Sequence, residues 1–394
     1  VLIVICTMLW PGDAPWGGDD RVLIHTAITA NREHRLVPAG LGGSFGYPYG
    51  PIPEQIYQVL ALFSHNPIVL VRLHAALLAG CTGGALLYLS SVLGLSWWYA
   101  PLVMLEPFFW FYTRLMWDNT FAIPVGTLLL ASYGDFLRRR PGGSGESGGA
   151  FLTAAGCAVA LPMIHPMTLP LVTAVAGHAL LAHRGEFIHR WRGLAILAIC
   201  AVVLCGPYCL RIIRQMGHSP GLVAPRDDAL TRPQAMFFPL WSGRLFTANG
   251  FFDARGPEAG LESNQLVVIA REISTVAYPL IWIGILASLF RLREKVTIPT
   301  ICVATLLLQS AMDARLRISP YPHYYCGTWA AIVVLLWIGL DRLRMLWLRL
   351  PVALIYAGSL LAATIAFAID IHRQHGGKVW YGPSLESQLR SSEK

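Results

Sequence analysis

Apolar runs close to twenty residues long recur along almost the whole of this chain. A helix needs about 20 predominantly apolar residues to cross roughly 30 Å of hydrocarbon, and inside that layer every backbone polar group must be satisfied internally. A chain with many such runs is therefore confined to bundles of membrane-crossing helices or to closed barrels. Barrel strands would alternate in polarity over segments of about 10 residues. Runs such as AAIVVLLWIGL (Ala330 to Leu340) do not alternate, so helices are the predicted elements. Composition agrees: 55% of the 394 residues are hydrophobic, 13% are charged and the mean hydropathy is +0.53, against about 25% charged residues in soluble domains. The predicted fold class is an all-α polytopic membrane protein.

The polar stretch from about 11 to 66 forms a large first loop between the opening run VLIVICTMLW, read as the outer end of a first helix, and the long run Ile68 to Leu95. Within that loop PIPEQIYQVLALF (Pro51 to Phe63) is too short and too amphipathic to span, and it is predicted to lie along the membrane surface. Further spans are expected near Trp97 to Tyr112, Thr120 to Leu137, Phe151 to Ile164, Met167 to His183, Leu194 to Ile213, Leu266 to Phe290, Thr297 to Asp313, Tyr324 to Leu340 and Pro351 to Asp370, about eleven in all. On that count the basic clusters RRR (Arg138 to Arg140), HRGEFIHRWR (His183 to Arg192), RLREK (Arg291 to Lys295) and RLRMLWLR (Arg342 to Arg349) fall on one side, which the positive-inside rule makes cytoplasmic. The net charge of +8 is thus a signature of membrane orientation, and nucleic acid is not an expected partner. The organisation reads as an N-terminal transmembrane module (1–213) with its first extracytoplasmic loop (11–66), a second extracytoplasmic loop (214–265), C-terminal transmembrane helices (266–371) and an extracytoplasmic tail (372–394). Eight cysteines sit mostly inside apolar runs with no CxxC pair, as small buried hydrophobes do.

The chemistry-bearing residues gather on the extracytoplasmic side. Asp19 and Asp20 open a segment with the helix-like spacing of Val22, Ala27 and Ala30. Carboxylates in a helix's first turn are favoured by its dipole and free N–H groups, and one that faces a membrane-surface cavity is also suited to act as a general base. Asp118 with Asn119 reads as a helix cap, Arg114 as a cation snorkelling at a helix end, and His165 before Pro166 as a helix terminus. The stretch RLRISPYPHYY, carrying Arg315, Arg317, Tyr321 and His323, has an interfacial composition that also suits a lipid phosphate. Glu106, inside a predicted span, reads as a hydrogen-bonded structural carboxyl. No Walker loop or zinc pattern is present, and the cytoplasmic loops are too short to fold a nucleotide-binding domain.

The order Asp19, Pro38, Gly40, Gly50, Pro51, then an amphipathic helix over Ile52 to Phe63, resembles the first loop of the C-type membrane glycosyltransferases, the family-39-like branch related to protein mannosyltransferases and aminoarabinose transferases. PFFWFYTRLMWDN (Pro107 to Asn119), ALPMIHPMTLP (Ala160 to Pro170) and Arg315 to Tyr325 are similar to later elements of that family. The resemblance implies a sugar donor carried on a polyprenyl phosphate and a glycan, lipid or protein acceptor reached from the extracytoplasmic side, in a bacterial inner membrane with the site facing outward. It implies Asp19 as general base with Asp20 as the reserve, Arg114, His165, Arg315, Arg317, Tyr321 and His323 on the phosphate, and an inverting reaction. It also implies Asp118 as a ligand of a divalent cation, magnesium or manganese. A transporter or flippase of lipid-linked sugars, and a catalytically inactive relative, are the alternatives left open by the residues themselves.

Overall fold

The computed structural model describes residues 1–14, 16, 18–43, 48–139, 148–216, 265–290, 297–316, 322–343, 346–373 and 383–392. In chain order the helices are α1 (Leu2–Thr7), α2 (Asp19–Arg32), α3 (Ile52–Ala61), α4 (Pro67–Leu93), α5 (Tyr99–Met104), α6 (Pro107–Tyr112), α7 (Ala122–Arg138), α8 (Gly148–Ile164) and α9 (Leu169–Ala182). They continue with α10 (Arg184–His189), α11 (Trp191–Met216), α12 (Gln265–Ser274), α13 (Ala277–Phe290), α14 (Ile298–Leu316), α15 (Trp329–Asp341), α16 (Leu346–Arg373) and α17 (Leu385–Ser392). Among the described residues five helical segments are long and apolar enough to cross a membrane: Pro67–Leu93, Asn119–Arg138, Trp191–Arg214, Val268–Phe290 and Trp347–Arg373. Three shorter apolar helices accompany them: Gly148–Ile164, Pro166–Ala182 and Trp329–Asp341. The chain is an integral membrane protein built of helices.

Burial sorts these helices. The Asn119–Arg138 segment is 83% buried and packs between α4 and α8, whereas Trp191–Arg214 is only 6% buried and presents Ile196, Ile199, Val202 and Val203 outward, as a lipid-facing helix does. Residues 329–340 of α15 are buried on every side, a helix apolar all round at the centre of a bundle. Its approach to α13 depends on two glycines. A Cβ at Gly339 would stand 1.7 Å from the Leu280 carbonyl oxygen, and one at Gly284 would stand 2.0 Å from that of Leu335. Small residues that let backbones touch are a usual basis of helix association in membranes, where burial from water contributes little.

The surface helix expected over Pro51 to Phe63 is α3, ten residues long and too short to span, with Leu62 and Phe63 exposed at its end. The expected span Trp97 to Tyr112 is instead two six-residue helices, α5 and α6. Pro107 forces the preceding residue out of the helical region, and Glu106 is extended at ψ 147°. The break is buried in protein, and other helices meet part of what it frees: Thr364 Oγ1 donates to the Leu105 carbonyl at 2.7 Å, and Trp329 Nε1 donates to Glu106 Oε1 at 2.7 Å. Glu106 is fully buried and hydrogen-bonded, as its reading as a structural carboxyl requires. Cys157, Cys205, Cys302 and Cys326 are buried as expected, while Cys6, Cys81 and Cys200 are exposed on outward helix faces. The loop expected over 214–265 lies, from residue 217 to 264, outside the described residues.

Substituting Gly339 by valine is expected to lower the thermal midpoint of the purified protein by several degrees, because the branched side chain separates α13 from α15. The same substitution at Gly177, where a Cβ meets nothing within 4 Å, is expected to leave the midpoint nearly unchanged. Unfolding monitored by intrinsic fluorescence in detergent compares the two.

Candidate functional site

The site starts with the face that α2 turns inward. Asp20, Leu23, Ile24, Ala27 and Ala30 are buried at three- and four-residue spacing. Ala27 and Ala30 lie on the buried stripe as expected, whereas Val22, expected with them, is 52% exposed and Leu23 takes its place. Asp20 therefore opens the buried stripe and Asp19 faces outward from the same first turn. The stripe packs on α3, whose buried face carries Pro53, Glu54, Tyr57, Gln58 and Ala61. A satisfied amide network fixes the pair. Gln58 Oε1 accepts the Val37 N–H at 2.9 Å, Gln58 Nε2 donates to Asn31 Oδ1 at 3.1 Å and to the Arg35 carbonyl at 2.9 Å, and Asn31 Nδ2 donates to the Gln58 carbonyl at 2.8 Å.

Against these helices the loop after α6 brings Asp118. Asp20 and Glu54 are each 1% exposed and Asp118 is 5% exposed. They surround the buried ring of Tyr57, whose hydroxyl donates to the Trp117 carbonyl at 3.3 Å. Asp118 Oδ1 accepts the Asn119 N–H at 2.7 Å. Asp118 Oδ2 and both oxygens of Asp20 and of Glu54 make no hydrogen bond within 3.5 Å among the described residues. The packing that encloses them requires two glycines: a Cβ at Gly40 would stand 2.9 Å and 3.1 Å from the Glu54 carboxyl oxygens, and one at Gly50 would stand 2.0 Å from the Met163 carbonyl at the end of α8.

Burial disfavours charge on all of these carboxyls. Glu54 is pushed up to about 8, by burial first and then by the neighbouring charge of Asp118. Asp118 is pushed up to about 7, by burial and then by Asp19. Asp20 rises well above the usual carboxylate range, again by burial, with Asp19 adding to the shift and the Trp117 side chain and Met116 backbone opposing it. Asp19 is raised more modestly by partial burial. The result is one solvent-accessible acid, Asp19, above three buried ones.

Beside the acids lies a layer of rings. His165 is buried at the N-terminus of the turn Pro166–Thr168, and its Nδ1 accepts the Met167 N–H at 3.2 Å. That bond leaves the proton of the neutral ring on Nε2. Tyr49 packs on His165 with centroids 4.6 Å apart; Tyr324 lies 4.3 Å from His323, which meets the Trp117 ring edge-on at 5.2 Å. Burial holds both imidazoles neutral, each pushed down to about 3, with His165 adding to the effect on His323. Asn119 Nδ2 donates to the His323 carbonyl at 3.3 Å.

The other expected site residues are placed differently. Arg114 is buried, donates from Nη2 to the Trp10 carbonyl and stacks over Trp110 with Cζ 4.2 Å from the ring centroid, so its head group is engaged by the turn before α2. Burial lowers it to about 10 against the opposing charge of Asp13. Arg315 is exposed in the last turn of α14. Arg317 and Tyr321 lie outside the described residues. Among the described residues no group of three or more His, Cys, Asp and Glu side chains converges to hold a metal ion, so the cation expected at Asp118 has no completed ligand set among them.

Asp13 and His372 also bear on the site. Asp13 Oδ2 bonds His372 Nδ1 at 2.9 Å, across 359 residues of sequence, and the His372 ring stacks on Trp10 at 4.3 Å. The Leu385 N–H donates to the Ala14 carbonyl and the Trp16 N–H to the Pro383 carbonyl, both at 2.9 Å. The segment beginning at residue 383 thus fastens the turn that delivers Asp19 and Asp20.

Similarity searches support this architecture. No protein-family model and no curated protein sequence matches the chain. Among solved structures, ArnT from Cupriavidus metallidurans in the apo state superposes with a TM-score of 0.60 at 12% identity, covering 95% of this chain and 76% of that one. ArnT from the same organism bound to undecaprenyl phosphate gives 0.59 at 12% identity with the same coverage. The chain shares the fold of these ArnT structures. Of the residues that the resemblance singled out, Asp118 lies near Asp19, and His165 lies near His323 with Tyr49 packed on it. Glu54 was legible in principle: it is an acid placed in register with Tyr57, Gln58 and Ala61 on the inward stripe of an amphipathic helix.

Because Glu54 rises from 4.5 to about 8 and Asp118 from 3.8 to about 7 on folding, the folded chain retains protons that the unfolded chain has already lost. Their contribution to stability is complete below about pH 4 and is lost as pH rises toward about 8. Glu54→Gln is expected to flatten the fall in thermal midpoint between about pH 5 and 9 and to exceed wild type at the alkaline end. An unchanged slope would show that Glu54 is already ionised.

Proposed function

We propose that this protein is an integral-membrane glycosyltransferase that moves a sugar from a polyprenyl-phosphate donor to a hydroxyl or amine of a glycan, lipid or protein acceptor. The observation that carries the reading is the accessible Asp19 at the helix N-terminus above the buried Asp20, Glu54 and Asp118, beside a layer of neutral imidazole and tyrosine rings. The fold it shares with ArnT, one of whose structures holds undecaprenyl phosphate, supports a lipid-borne donor. The basic clusters, read as cytoplasmic by the positive-inside rule, support an extracytoplasmic site; the membrane proposed is a bacterial inner membrane.

In the proposed reaction Asp19 accepts the proton of the acceptor nucleophile as its lone pair attacks the anomeric carbon. The bond from that carbon to the phosphate oxygen breaks, and the phosphate leaves with the bonding electrons, inverting the centre. Asp19 suits the base because it is the one accessible acid of the cluster and the acids behind it resist ionisation, so the negative charge concentrates where the substrate is reached. The Nε2–H of His165 is a neutral donor for the developing charge on phosphate oxygen, and a donor fixed in a desolvated site needs no reorganisation as that charge appears. His323 and Tyr49 complete a ring-lined wall of the kind that packs against a sugar face.

The test is sugar transfer by purified protein in lipid from a panel of radiolabelled polyprenyl-phosphate sugars. Asp19→Asn is expected to reduce turnover by about 10²-fold or more while donor binding persists, and Asp20→Asn is expected to act mainly on stability. Retained turnover in Asp19→Asn would remove it as the base. Donor binding without turnover in the wild type would favour a carrier of lipid-linked sugars.

His165→Ala is expected to lower kcat by about 10- to 100-fold with little change in KM, whereas His165→Asn, which retains a neutral donor, is expected to recover part of the loss. Steady-state kinetics of the two variants with one active donor decides the point.

A further inference from the structure

At the end of the bundle opposite the acids, α7, α8, α9, α10 and α11 enclose a cavity of about 290 Å³. Small side chains leave the space: Ala155 and Ala158 of α8 face Ala176 and Ala179 of α9, and Phe187 of α10 closes the floor, 5.2 Å from Phe151. The hydroxyl of Tyr133 on the wall is bonded to His178 Nδ1 at 2.6 Å, so the lining offers no uncommitted polar side chain. Val159, 44% exposed, stands at the mouth, where the cavity meets the lipid-facing surface. At 1.5 Å per residue the cavity begins at Val159, about 8 Å below the end of α8 beside His165, and extends to Phe151, about 20 Å below that end and toward the other leaflet.

Apolar cavities of about 150 Å³ stay dry and accept hydrocarbon, and this one is larger. The ridge beneath it has a different composition. Leu181, Ile188 and Trp191 are 87%, 77% and 61% exposed, interleaved with Arg184, Arg190 and Arg192. Arg190 is spent on Glu186 at 2.8 Å, whereas Arg184 and Arg192 form no ion pair with a described carboxylate. Exposed apolar and aromatic residues alternating with arginines mark a segment seated at a headgroup layer, and each such arginine attracts anionic lipid.

We propose that this cavity and its basic ridge form a binding site for one anionic phospholipid of the leaflet on the basic face, with an acyl chain between α8 and α9 and the phosphate on Arg184 and Arg192. A polyprenyl phosphate donor is the wrong occupant: its phosphate must reach Asp19, and the bundle between the two ends spans roughly 30 Å of hydrocarbon. The site stands whether or not the protein transfers sugars.

Native mass spectrometry of the delipidated full chain, titrated separately with phosphatidylglycerol, phosphatidylcholine and polyprenyl phosphate, tests the proposal. The expected result is one retained phosphatidylglycerol with at least tenfold preference over phosphatidylcholine, abolished by Ala158→Phe, which fills the cavity. Arg184→Gln with Arg192→Gln is expected to remove the preference and to leave chain binding. Since Ala158→Phe can disturb folding, phosphatidylglycerol carrying an acyl-chain diazirine is also crosslinked to the wild type, with adducts expected on the peptides containing Val159 and Ala176. Equal binding of the two phospholipids, adducts elsewhere, undiminished binding in a folded Ala158→Phe variant, or retention of polyprenyl phosphate alone would each overturn it.

Discussion

The desolvation of three carboxyl groups at the junction of α2, α3 and the loop after α6 governs the rest of this structure. Asp20, Glu54 and Asp118 are all but inaccessible, and among the described residues five of their six carboxyl oxygens lack a hydrogen bond. A buried ionised carboxylate without a partner is costly, and the usual response is to hold a proton instead. Packing strong enough to impose that state comes from the amide network of Asn31 and Gln58 and from the backbone contacts that Gly40 and Gly50 permit. Burial on this scale concentrates ionisation on Asp19, the member that solvent can reach.

The same logic explains the broken segment after α4. A continuous helix through residues 97–112 would carry the chain straight past the site. The break at Pro107 turns α6 so that the loop after it can place Trp117 and Asp118 beside α3, and the carbonyl that the break frees is met from α16 by Thr364. Irregular backbone inside a membrane protein is confined to places where other helices supply such partners. The buried bond from Trp329 to Glu106 therefore supports the site at a distance, by holding the bend that aims Asp118.

Part of this was readable from residues alone. Apolar run length gave the fold class, and the order of Asp, Pro and Gly in the first loop pointed to the fold that the chain shares with ArnT. Register was harder to read. Asp19 and Asp20 are chemically alike in the sequence, and only the phase of Leu23, Ile24 and Ala27 tells which one turns inward. Glu54 looked like one more polar residue of a surface helix because its stripe faces protein and not lipid. Arg114, assigned to the phosphate by the resemblance alone, reaches back to the Trp10 carbonyl, a contact that sequence spacing does not reveal. The engagement of Asp13 by His372 is likewise invisible before folding, since the partners are separated by almost the whole chain.

That last contact orders events in time. Domains form from the N-terminus as synthesis proceeds, yet the turn that carries Asp19 and Asp20 is fastened by residues 372, 383 and 385. A nascent chain can insert its early helices, dock α2 on α3 and still hold its first acids on an untethered turn. The site reaches its final geometry only after α16 has crossed the bilayer and the segment behind it has returned to the first loop. Docking of residues 372, 383 and 385 thus follows insertion of the helices before them, and the turn bearing Asp19 and Asp20 is the last part of this junction to be fixed.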